Sequence, residues 1–179
     1  MMFIRYSFCL VLLVFGLPLS ASPTLETVTG RTVKVGQNAP VIVTVVQQSE
    51  ADAARKVGQA ITDEEFATGK VIPVTVINFQ NKLAPSMRKI SKAQIELDLK
   101  KAAARLAPTY RRIGVDHSPM ENLHAVADFD GSVGKSLGVD SEANPVVVLV
   151  YDGEGRLRAR FPGAPGRKQM RELLDQLTR

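Results

Sequence analysis

Asn144-Pro145-Val146-Val147-Val148-Leu149-Val150-Tyr151-Asp152-Gly153-Glu154-Gly155-Arg156-Leu157 is the stretch on which the fold turns. Val146 to Tyr151 is an unbroken apolar run, and such a run suits a strand covered on both faces. Asp152-Gly153-Glu154-Gly155 is a hairpin turn, and Arg156 to Phe161 returns as the next strand. The pair adds an antiparallel edge to whatever sheet the chain builds. Pro165-Gly166 then leads into a last helix with Met170, Leu173, Leu174 and Leu177 on one face.

Towards the N-terminus, Leu123 to Phe129 reads as a strand that turns at Asp130-Gly131. Ser132 to Leu137 is a short helix closed by Gly138. Two further apolar runs, Val41 to Val46 and Val71 to Phe79, read as buried strands. Pro73 places an entry position near the start of the second. Ser49 to Ile61 carries helical spacing at Ala53, Val57, Ala60 and Ile61. Ser49 is its expected N-cap, with Glu50 and Asp52 in the first turn. Pro85 opens a long helix whose apolar stripe is Ile95, Leu99, Ala102 and Leu106. Ala107-Pro108 is expected to end it. Thr24 to Gln37 reads as a short strand pair or extended lead-in broken by Gly30 and Gly36.

The order is β-α-β-α-β-α-β-β-α. The right-handed crossover rule makes the first strands parallel, with Val41–Val46 central and parallel to Val71–Asn78. The expected architecture is an α/β three-layer sandwich with a mixed central sheet and an inserted long helix.

Met1 to Arg5, the apolar run Phe8 to Leu17 and the small residues at 20–22 follow the order of a secretory signal. The apolar run is shorter than the roughly 20 residues a spanning helix needs. Export to the periplasm or outside the cell is therefore expected, with residues 1–21 as signal peptide, 22–38 as lead-in and 39–179 as one domain. The only cysteine, Cys9, lies within the signal, so the mature chain is expected to carry no thiol. The formal net charge is +5, compatible with an anionic partner in the cell envelope. The absence of tryptophan and only three tyrosines argue against a base-stacking platform.

From about Ala39 to Thr178 the pattern resembles the thioredoxin superfamily. The likeness rests on Val41–Val46 running into a helix, and on Leu137-Gly138-Val139 through Asn144-Pro145, the apolar strand and Asp152-Gly153-Glu154-Gly155. The resemblance implies that Pro145 occupies the family's cis-proline position. It also implies that the redox pair should follow the first strand, where a helix N-terminus lowers a thiol's pKa. Glu50 and Ala53 stand at those two positions, and neither can exchange disulfides. The closer resemblance is to small periplasmic proteins of the YtfJ type, which also lack the pair and insert a helical segment, here at about 85–110.

Other candidate chemistry is weak. Gly134-Lys135-Ser136 resembles the tail of a P-loop but lacks its first glycine, since Phe129 stands there. Asp116, His117, Glu121, His124, Asp128 and Asp130 match no metal-ligand spacing, so no metal and no cofactor is expected. Ser49 has no nucleophile elbow around it. Lys82, Arg88, Lys89, Lys92, Lys100, Lys101, Arg105, Arg111 and Arg112 make the largest basic cluster, with Lys89, Lys92, Lys100, Lys101 and Arg105 as its candidate surface, a solvated face or a surface for an anionic envelope component. Nucleic acid is not an expected partner. The leading expectation is a non-catalytic binding or envelope-associated protein, without thiol-disulfide oxidoreductase or peroxidase activity. The rival is a cysteine-independent enzyme led by Glu50 with His117 or His124, which would need a histidine within hydrogen-bond reach of Glu50 and Pro145.

Overall fold

The computed structural model describes residues 23–79 and 83–179. Cys9, the expected signal and Lys82 lie outside the described residues. Among the described residues seven strands form two sheets: β1 (Thr24–Glu26) and β2 (Thr32–Lys34) pair as a hairpin, and β3 (Val41–Gln47), β4 (Ile72–Asn78), β5 (His124–Asp128), β6 (Val146–Tyr151) and β7 (Leu157–Pro162) form the main sheet. Its spatial order is β5-β4-β3-β6-β7. β3 is central, parallel to β4 and antiparallel to β6, while β4 is parallel to β5. The hairpin expected at Asp152 joins β6 and β7.

Both faces of this sheet are covered, and that explains the unbroken valine runs. One face carries Val41, Val43, Val45, Val74, Val76, Val147 and Leu149. The β1–β2 hairpin covers it through Leu25, Val33 and Val35, together with Leu137 and Val139. The lead-in is therefore part of the core. The other face carries Ile42, Val148 and Val150, covered by Val57, Ala60 and Ile61 around α1 (Ala51–Gly58) and by Met170 and Leu174 of α5 (Arg167–Leu177). The crossovers β3-α1-β4 and β4-α3-β5 step in the same direction along the sheet. Right-handed connections then put α1 and α3 (Pro85–Arg112) on the same face. The remaining helices are α2 (Asp63–Ala67) and α4 (Ser132–Ser136).

Two local expectations are corrected. Ser49 does not cap α1. The chain leaves β3 through a tight 3-10 turn over Gln48–Glu50, which places Glu50 at the N-cap with no side-chain cap bond. The long helix does not stop at Ala107-Pro108 but runs to Arg112. Pro108 removes one helical hydrogen bond, yet Tyr110, only 2% exposed, holds the last turn in place. The stripe Ile95, Leu99, Ala102 and Leu106 faces the protein but is only half-buried. The cause is length: a 28-residue helix spans about 42 Å, whereas the seven residues of β4 span about 23 Å.

α2 is locked by its own ends. Thr62 Oγ1 accepts the amide of Glu65, and Glu65 Oε2 accepts the amide of Thr62. The same carboxylate receives Arg171 of α5 at 2.6 and 2.7 Å. Arg171 is the main reason the Glu65 pKa falls to about 2.

Candidate functional site

The ends of three parallel strands meet at one edge of the sheet, because Gln47 pairs in register with Asn78 and Asn78 with Asp128. The loop before β6 closes on the same edge, where the Gln47 amide donates to the Pro145 carbonyl at 2.9 Å. Glu50 and Ala53 follow on the first turn of α1. Glu50 is exposed and Ala53 half-buried. The Asn144–Pro145 peptide is trans, contrary to the cis geometry the resemblance implied. Trans is the intrinsically favoured isomer, and the loop reaches β3 through the Pro145 carbonyl without the other one.

The histidines are elsewhere. His124 opens β5, level with Val74 of β4 and Val43 of β3. It lies four residues from the Asp128 end of β5, about 13 Å along the strand, and two strands sideways from β3. His117 sits at that far end too, edge-on to Tyr110 with ring centroids 5.6 Å apart and 3.3 Å from Asn122 Nδ2. Neither histidine comes within hydrogen-bond reach of Glu50. Among the described residues no three His, Cys, Asp or Glu side chains gather as a metal ion would require.

A buried polar cluster that the sequence reading passed over holds the edge together. Asp128, 1% exposed, accepts the amides of Gly134 at 2.8 Å and Val133 at 3.3 Å. Asn78 Nδ2 donates to Ser141 Oγ at 2.9 Å, and Gln47 Nε2 donates to the Ser141 carbonyl at 2.7 Å. Gly134 fits between them, since a Cβ there would lie 3.4 Å from Asp128 Oδ2 and 3.5 Å from both Asn78 Nδ2 and Ser141 Oγ. The P-loop-like Gly134-Lys135-Ser136 thus gives its first amide to Asp128. The cluster forms part of the wall of an open groove of about 650 Å³, lined by Asn78, Asp130, Lys135, Asp140, Ser141 and Glu142. Its walls mix both signs of charge. They suit polar contacts better than displacement chemistry, since the Ser141 hydroxyl engages an amide and not a general base.

His124 has a thermodynamic signature instead. Its Nδ1 has no hydrogen-bond partner among the described residues, and burial, helped by Arg31, lowers its pKa from 6.5 to about 4. Between those values the unfolded chain binds the extra proton. The contribution of the neutral ring to stability is therefore present above about pH 6.5 and lost as the pH falls through about 4. Allowing for partial exposure, the loss is about 2 kcal/mol. Urea midpoints measured across this window should slope in the wild type and flatten in His124→Gln. Equal slopes would refute the assignment. Glu65 adds its own loss lower down, from about 4.5 towards 2.

No protein-family model matches the chain, and no curated protein does. Solved structures do. The pneumococcal exposed lipoprotein thioredoxin Etrx1 of Streptococcus pneumoniae strain TIGR4 is 19% identical, with a TM-score of 0.56 over 88% of this chain and 100% of that one. A DsbF homologue from Corynebacterium diphtheriae is 14% identical, with a TM-score of 0.52 over 88% and 85%. StoA from Bacillus subtilis is 12% identical, with a TM-score of 0.50 over 85% and 95%. Identities this low speak to architecture only. With the mixed five-stranded sheet and the α3 insertion, they show that this chain has an α/β thioredoxin-like fold.

Proposed function

We propose that the chain is an exported thioredoxin-fold protein, akin to the YtfJ type, that has lost thiol chemistry and serves as a non-catalytic binding or envelope-associated protein. One observation carries the reading. Glu50 and Ala53, which the resemblance assigns to the redox positions, lie at the start of the helix after the central strand, and Glu50 is exposed with no histidine beside it. A nucleophile at that place needs a thiolate or an adjacent base. The N-terminal order of charge, apolar run and small residues supports export, and among the described residues no helix is long and apolar enough to cross a membrane. The carboxylate–histidine enzyme has no geometric support, because both histidines lie at the opposite end of the sheet.

Insulin reduction by the purified protein tests the reading. No turnover above the dithiol background is expected. The double variant Glu50→Cys/Ala53→Cys should acquire measurable exchange, because it places a C-x-x-C pair at a helix N-terminus. Catalysed reduction by the unmodified chain would overturn the proposal.

A further inference from the structure

The outward side of α3 has a feature the cleft does not explain. Ile90 is 60% exposed, Leu97 46% and Met87 44%, although the helix already buries Tyr110 and half-buries Ile95, Leu99 and Leu106 on its inner side. Ile90, Ala93 and Leu97 recur at i, i+3 and i+7, and Ala104 and Pro108 continue the same line. At 3.6 residues per turn, Lys89, Lys100 and Arg111 fall along one flank of that line, and Lys101, Arg105 and Arg112 along the other. Asp98 holds Lys101 at 3.3 Å, and Asp63 of α2 lies 3.8 Å from Arg112. Lys89, Lys100, Arg105 and Arg111 make no ion pair among the described residues.

We infer that this face of α3 docks on an anionic lipid bilayer, with Ile90 and Leu97 entering the headgroup boundary and the flanking lysines and arginines pairing with lipid phosphates. Exposed Ile90 and Leu97 between two rows of long cationic side chains put partners for the headgroup boundary and for lipid phosphates on one side of the helix. The aliphatic stems lie along the apolar boundary while the charges reach up to the headgroups. Ile90 and Leu97 are about 10 Å apart along the helix. Two exposed apolar side chains give little of the apolar centre that a stable protein interface has, whereas a fluid lipid surface needs no matching shape. This deepens the envelope-associated part of the proposal above. It rests on α3 alone, so its failure leaves the redox reading standing, and the reverse.

Vesicle flotation tests it, with phosphatidylglycerol–phosphatidylethanolamine vesicles against phosphatidylcholine vesicles. Binding to the anionic vesicles only, weakening as salt rises, is expected. Lys89→Glu/Lys100→Glu should weaken it by about tenfold or more. Ile90→Ser/Leu97→Ser should also weaken it while leaving the salt dependence. The N-terminal apolar run is common to all variants and cannot produce a difference between them. The chain has no tryptophan, so Leu97→Trp supplies a clean reporter at an exposed position, and its emission should shift to the blue on anionic vesicles. Equal binding to both vesicle types, indifference to the charge reversal, or no blue shift overturns the inference. So does equally tight binding to heparin that Ile90→Ser/Leu97→Ser does not affect, which would mark a soluble polyanion site.

Discussion

Tyr110→Ala is expected to destabilise the protein by about 3–5 kcal/mol, the range for removing a buried aromatic ring. Tyr110 is the one fully buried side chain of α3. It meets Phe66 edge-on, with centroids 6.4 Å apart, and its hydroxyl receives Asn122 Nδ2 at 3.0 Å. The ring therefore joins α3, α2 and the loop before β5. Tyr110→Phe should cost less than about 1 kcal/mol, because Asn122 Nδ2 still reaches the carbonyls of Phe66 and Ala67 at 2.7 and 3.0 Å. Chemical denaturation separates the two. Equal losses would mean that the hydroxyl, not the ring, holds the helix. Hydrogen exchange in the last turns of α3 should speed up in the alanine variant alone.

Asp128→Ala is expected to cost about 2–4 kcal/mol. The change strips a buried and a part-buried amide of their acceptor and leaves a small cavity beside Asn78. Asp128→Asn should recover only part of the loss. An amide group offers one oxygen where the carboxylate offers two, and its NH2 would face another donor. Because Asp128 positions α4 and the groove at the sheet edge, the loss should come with faster exchange at Val133 and Gly134. A variant as stable as the wild type would show that water serves these amides equally well.

The strands were legible because the sheet is covered on both faces. Val41–Val46 and Val146–Tyr151 could be continuous and branched only if no side faced solvent. The turn at Asp152 was legible because its carboxylate does local work, accepting the amides of Glu154 and Arg156. The end of α3 was not legible. Pro108 is a local stop signal, and what overrides it is Tyr110 packing against residues far along the chain. α2 could have been read from Thr62-x-x-Glu65, a capping box. The Asn78–Asp128–Ser141 cluster could not, because Asn78 and Asp128 meet through strand register and Ser141 reaches them from the loop before β6. That Glu50 and Ala53 would follow the central strand was visible directly. The distance of the histidines from them became visible only when β5 took its place at the outside of the sheet.

The crossover helix has one more consequence. α3 joins two parallel strands, so its axis runs roughly antiparallel to theirs. A molecule resting on a surface through α3 would have its strands lying in the plane of that surface, with the Glu50–Asp128 edge opening sideways. Its groove would then sweep the layer next to the bilayer. Encounters with other membrane-bound molecules would become a two-dimensional search, while anything arriving from bulk solvent would meet the opposite flank of the protein.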